Sequence, residues 1–94
     1  MAGDMVAAEI YVSGRVQGVG YRYFTEKIAA RLGVTGWSMN MPDGRVMLDI
    51  EADRPSAEKF IRELEKGPAM ASVTGVAVTW KPFQGRHSGF IIRF

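Results

Sequence analysis

Three glycines stand within seven residues at Gly14-Arg-Val-Gln-Gly-Val-Gly20, and an arginine, Arg22, follows two positions later. A loop of this kind that enters a helix can turn successive backbone N–H groups inward. The positive end of the helix adds to them, and the result is a cradle for an anion. Glycine permits the close approach and the positive φ that such a loop needs. Arg22 would add a planar fork of donors able to grip two phosphate oxygens at once. Glycine spacing alone is a weak signal, and a plain glycine-containing connection with a solvated arginine leaves the same pattern. Asn40 is the second residue able to act. A carboxamide near a turn serves backbone hydrogen bonding or chemistry, and its own position does not decide between them.

Other chemistries are removed by composition. The chain of 94 residues has no Cys and one His. That excludes a disulfide framework, a thiolate nucleophile, Cys-ligated zinc, an iron–sulfur site and a His-rich metal site. The balance of 12 Lys+Arg against 10 Asp+Glu leaves a net charge of only +2, which makes no case for nucleic acid as a partner. With 47% hydrophobic and 23% charged residues, the expectation is one folded domain over residues 1–94. No apolar run approaches the roughly 20 residues of a membrane span. The opening MAGDM has no basic segment leading into an apolar stretch, so neither a membrane partner nor a secretory leader is expected, and the cytoplasm is the expected compartment.

The elements that must position Arg22 and Asn40 are legible in the hydrophobic periodicity. Ala8, Ile10 and Val12 alternate with Glu9, Tyr11 and Ser13, which predicts a strand over 6–13. Tyr21, Phe24, Ile28 and Leu32 form a helical stripe that Gly33 ends. A strand follows over 34–41, then Pro42-Asp43-Gly44 as turn chemistry, then Val46, Leu48, Ile50 and Ala52 as a third strand. Asp49 and Glu51 alternate on the other face of that strand and predict a solvated surface. Pro55 opens a second helix with Ala57, Phe60, Ile61 and Leu64 on its buried stripe, and Gly67-Pro68 stops it. Glu58/Arg62 and Lys59/Glu63 predict ion pairs on its outer side. Val76, Val78 and Trp80 predict a fourth strand, and Phe90, Ile92 and Phe94 a short fifth. His87, in Gly85-Arg86-His87-Ser88-Gly89, reads as an exposed loop histidine.

The order β-α-β-β-α-β plus a terminal strand predicts an α+β ferredoxin-like sandwich, with two helices on one face of an antiparallel sheet. In that topology strands one and two finish at the same edge. With strand three between them they lie roughly 10 Å apart, twice the interstrand spacing. A tetrahedral anion and one water fit in such a gap. Arg22 and Asn40, eighteen positions apart, can therefore face one site.

Two segments carry a family resemblance. Val12-x-Gly14-x-Val16-Gln17-Gly18-Val19-x-Tyr21-Arg22 resembles the first signature of the acylphosphatases, and Gly36-Trp37-x-x-Asn40-x-x-Asp43-Gly44-x-Val46 resembles the second. The likeness extends over nearly all of residues 6–94. Tyr21, where phenylalanine is more usual, Ser38 in place of a small apolar residue and Ala52 in place of a glycine depart from the pattern. The resemblance implies a cytoplasmic hydrolase that cleaves the carboxyl–phosphate bond of small acyl phosphates, as a monomer and with no metal or other cofactor. It further implies that Arg22 and the amides of Val16, Gln17, Gly18, Val19 and Gly20 bind the phosphoryl group, while Asn40 orients the attacking water. For Gln17 the residues also suggest a second use, bracing the loop through its side chain.

Rival functions of the same fold are an RNA-recognition module and a non-catalytic anion sensor. The third strand, Arg45-Val-Met-Leu-Asp-Ile-Glu51, is acidic where RNA stacking needs aromatic side chains. A sensor would use the cradle and Arg22 but would have no need of Asn40.

Overall fold

A computed structural model describes residues 4–94. The expectation that MAGDM is no leader falls largely on residues 1–3, outside the described residues. The elements are β1 (Met5–Arg15), α1 (Tyr21–Leu32), β2 (Thr35–Asn40), β3 (Val46–Asp53), α2 (Arg54–Lys66), β4 (Ser72–Pro82) and β5 (Phe90–Arg93). They form one sheet in the order β4-β1-β3-β2-β5, with both helices on one face. β5 runs parallel to β2 and every other pairing is antiparallel. This is the ferredoxin-like arrangement that the order of elements predicts, and β3 does lie between β1 and β2, but the sheet is mixed rather than antiparallel because β5 joins the edge of β2 in parallel.

Period-two alternation builds the core. Ala8, Ile10 and Val12 of β1 and Val46, Leu48, Ile50 and Ala52 of β3 point toward the helices, none more than 2% exposed. They meet Tyr21, Ile28 and Ala29 of α1 and Ala57, Phe60 and Leu64 of α2. Gly36 lets β2 approach β3: its φ is 141°, and a side chain there would run into the backbone of Asp49. The start of α2 is capped by Asp53, whose carboxylate accepts the Ser56 N–H at 2.9 Å. Its outer side differs from expectation. The observed ion pairs are Arg54–Glu58 and, across to α1, Arg31–Glu63, each at 3.7 Å. Long exposed side chains choose among partners of nearly equal energy, so spacing alone does not select them.

The open face of the sheet carries a larger correction. Asp49 and Glu51 are not solvated: they are 5% and 3% exposed, because the segment between β4 and β5 folds back over them. Glu51 accepts the backbone N–H groups of Gln84, Gly85, Arg86 and His87 at 2.7–3.2 Å. Asp49 accepts from Lys81 Nζ at 2.8 Å and shares a hydrogen bond with His87 Nε2 at 3.0 Å. His87 is therefore tucked in rather than exposed, its side chain 13% accessible.

Burial by itself pushes both carboxyls up. For Asp49 the hydrogen bonds and charges of Lys81 and His87 outweigh it, and for Glu51 the loop amides do, so both groups titrate below their ordinary values. On acidification the unfolded chain therefore takes up protons at these groups before the native chain does. Stability is full above the ordinary carboxylate range and falls as pH drops through it toward the lowered native values. Urea midpoints measured at about pH 6 and at about pH 3.5 should show this loss, and it should shrink when Glu51 is replaced by Gln.

Candidate active site

The loop between β1 and α1 turns on two glycines in the left-handed region, Gly18 at φ 74° and Gly20 at φ 78°. A side chain at Gly20 would meet no neighbour but would cost about 1–2 kcal/mol in backbone strain. Gly20 is the N-cap of α1, and no side chain satisfies the first amides of that helix. Those amides have no partner within the helix and stand at its positive end. α2 differs on this point, since Asp53 fills the same need there.

Two ties carry the loop to β2. The Gln17 carboxamide donates to the carbonyls of Met41, at 2.8 Å, and Arg45, at 3.0 Å, which is the bracing use suggested by the sequence. These carbonyls flank the β2–β3 turn. Asp43 closes that turn by accepting from the Arg45 backbone at 3.1 Å and from its Nε at 2.8 Å, as turn chemistry predicts. The second tie is buried. The Thr25 and Ser38 hydroxyls lie 3.2 Å apart and share a hydrogen bond, and Thr25 also donates to the Arg22 carbonyl at 2.7 Å. Thr25 stands three residues after Arg22, and Ser38 two before Asn40. The pair therefore fixes the turn bearing Arg22 against the strand bearing Asn40.

The result is a cavity of about 190 Å³ lined by Val16, Gly18, Gly20, Tyr21, Arg22, Tyr23 and Asn40. It is several times the roughly 30 Å³ that one water occupies in the liquid. Gln17 and Val19 belong to the loop but send their side chains elsewhere, Gln17 to the hairpin and Val19 against the core. Arg22 is held on one side. Its Nη1 donates to the Arg93 carbonyl at 2.9 Å, and the Phe94 ring lies 4.7 Å from the guanidinium carbon. Asn40 is left with a need. Among the described residues, its Oδ1 is the one buried side-chain oxygen or nitrogen without a hydrogen-bond partner. Such an acceptor costs energy unless something donates to it.

Arg22, Asn40 and the glycine loop are thus brought together as the sequence predicts. Three participants lie outside the sequence reading: Thr25, Ser38 and the Arg93 carbonyl. Two small hydroxyls, one on the buried side of α1 near Arg22 and one on β2 near Asn40, are a usable signal. A backbone carbonyl 71 residues from Arg22 leaves none. A second hollow of about 120 Å³ lies on the opposite sheet face beside Asp49, Glu51 and Lys81, but its carboxylates are already paired. Among the described residues no grouping of three or more His, Asp or Glu side chains is placed to hold a metal ion.

The family model described as acylphosphatase matches residues 8–92. A protein of Anaeromyxobacter dehalogenans named acylphosphatase is 45% identical over 91 residues, covering 97% of this chain and 98% of its own. One of Archaeoglobus fulgidus with the same name is 49% identical over 74 residues, covering 79% of this chain and 83% of its own. The crystal structure of acylphosphatase from Bacillus subtilis superposes with a TM-score of 0.91 at 34% identity, covering 95% of this chain and 99% of that one.

Tyr21, one of the departures from the family pattern, makes an added tie beneath this site. Burial pushes its phenol up, so it stays protonated, and it donates to the Leu64 carbonyl of α2 at 2.8 Å. Tyr21→Phe should cost about 1 kcal/mol in urea unfolding, because Leu64 loses a donor it cannot replace in the core.

Proposed function

The chain belongs to the acylphosphatase family and hydrolyses acyl phosphates to a carboxylate and inorganic phosphate, and we propose that Arg22, Asn40 and the loop from Val16 to Gly20 carry this reaction. The observation supporting the assignment is the shared cavity, which the loop, Arg22 and Asn40 line together.

An acyl phosphate is a mixed anhydride. Its leaving group is a carboxylate, stable without a proton, so no general acid is needed. Charge on the transferring group spreads over its oxygens, so positioning and electrostatics supply most of the catalysis. Loop amides and the start of α1 take the phosphoryl oxygens, and Arg22 bridges two of them. The Asn40 carboxamide hydrogen-bonds the attacking water and sets it in line with the breaking bond. A phosphate oxygen of the substrate takes the proton that the water gives up. The bond to the acyl oxygen breaks, and that oxygen leaves as carboxylate. An ordinary phosphate ester, with an unassisted alkoxide to expel, is a poor substrate by the same reasoning.

No helix of the described residues is long and apolar enough to cross a membrane. A chain without cysteine has no need of an oxidising compartment, and this accords with the cytoplasm.

With benzoyl phosphate as substrate, Arg22→Ala should raise KM and the inhibition constant of inorganic phosphate together by about 10- to 100-fold, with kcat lowered but still measurable. Asn40→Ala should leave phosphate inhibition within about twofold while kcat falls by about a hundredfold, the scale for losing one polar group aimed at the reacting atoms. Equal loss of both quantities in Asn40→Ala would remove the water-positioning role. Activity in excess chelator should match the untreated rate. A rate lost to chelator and recovered with Mg²⁺ would overturn the metal-free route.

A further inference from the structure

The β4–β5 segment carries an arrangement that the reaction does not use. Four consecutive amides, those of Gln84, Gly85, Arg86 and His87, converge on the single carboxylate of Glu51. Two go to each oxygen, so the acceptor capacity of the group is largely filled. Successive N–H groups converging on one anion form a nest, and here the anion belongs to the protein. Glu51 sits on β3, a central strand, while the segment it holds is the lead-in to β5, which is an edge strand of four residues.

A physical path runs from this anchor to the active site. After the anchored amides the chain reaches Gly89, whose carbonyl accepts the Gly36 N–H at 2.8 Å. β5 then pairs with β2 as far as Arg93, opposite Met39, and the Arg93 carbonyl receives Arg22 Nη1 at 2.9 Å. An arginine side chain is long and has many rotamers, so a fixed acceptor behind it decides how often its fork faces the cavity. β5 has a strand neighbour on one side only, and its position depends on where its lead-in is pinned.

We propose that Glu51 is a positioning residue for Arg22: by holding the amides of residues 84–87 it places β5, and β5 places the carbonyl that orients the guanidinium. This rests on Arg22 binding the phosphoryl group. It makes Glu51, on the opposite face of the sheet, a determinant of phosphate affinity without contact to substrate.

Five variants of the full chain test this: Glu51→Ala, Glu51→Gln, Arg22→Ala and the double variants Arg22→Ala/Glu51→Ala and Arg22→Ala/Glu51→Gln. Each is assayed well below its unfolding temperature for KM and kcat with benzoyl phosphate and for competitive inhibition by inorganic phosphate. Glu51→Ala should raise KM and the phosphate inhibition constant by about fivefold, with any fall in kcat in the same direction as that of Arg22→Ala and smaller. In the Arg22→Ala background the same change should add nothing, because Glu51 acts through Arg22. A purely structural role predicts no affinity change in the folded protein, or a penalty that multiplies with Arg22→Ala, and either result overturns the proposal. Should Glu51→Ala fail to fold, Glu51→Gln decides. It keeps one acceptor oxygen, and a rise of about twofold that vanishes in Arg22→Ala/Glu51→Gln is required. If Arg22→Ala itself leaves phosphate inhibition unchanged, the assignment of Arg22 has failed, a result that a failure at Glu51 alone does not produce.

Discussion

Backbone N–H groups at the start of a helix have no partner inside it, and the architecture around the cavity depends on leaving those of α1 unfilled. α2 shows the ordinary remedy, with Asp53 accepting from the Ser56 amide. α1 begins instead at Gly20 in a left-handed conformation and with no capping side chain. A donor array of this kind is costly when empty and favourable when an oxyanion sits on it. The surrounding ties, Gln17 to the hairpin and Thr25 to Ser38, keep the array open and aligned without occupying it.

The same interaction recurs on the other face of the sheet with the opposite purpose. There the amides of residues 84–87 also surround an anion, but the anion is Glu51 and it is always present. One cradle is proposed here to take a phosphoryl group, and the other is filled internally by Glu51. The filled one lies at the head of the strand that ends beside Arg22. Asp49, with Lys81 and His87, anchors the same segment a second time.

Much of this is legible in the amino-acid sequence. Alternation in Ala8–Val12 and Val46–Ala52 marks the strands, because a sheet with one face against helices forces a period of two. Gly33 and Gly67 mark helix ends. Topology then requires Arg22 and Asn40 to share an edge. Where the expectation fails, at Asp49, Glu51 and His87, the reason is specific. Alternation reports which side of a sheet a residue faces, and it is silent about a distant loop covering that side. Two acidic residues on a strand face look solvated as long as the fold of the segment between β4 and β5 is unknown, and that segment lies over them.

The sequence by itself determined the order of elements, the family and the residues able to act, since these follow from local periodicity and from short motifs whose parts are near in the chain. Only the tertiary structure decided what holds them. The Arg93 carbonyl behind Arg22, the hydroxyl pair beneath the cavity and the buried carboxylates are contacts between distant positions. Several of them involve backbone groups that every residue possesses, and no pattern of side chains can announce those.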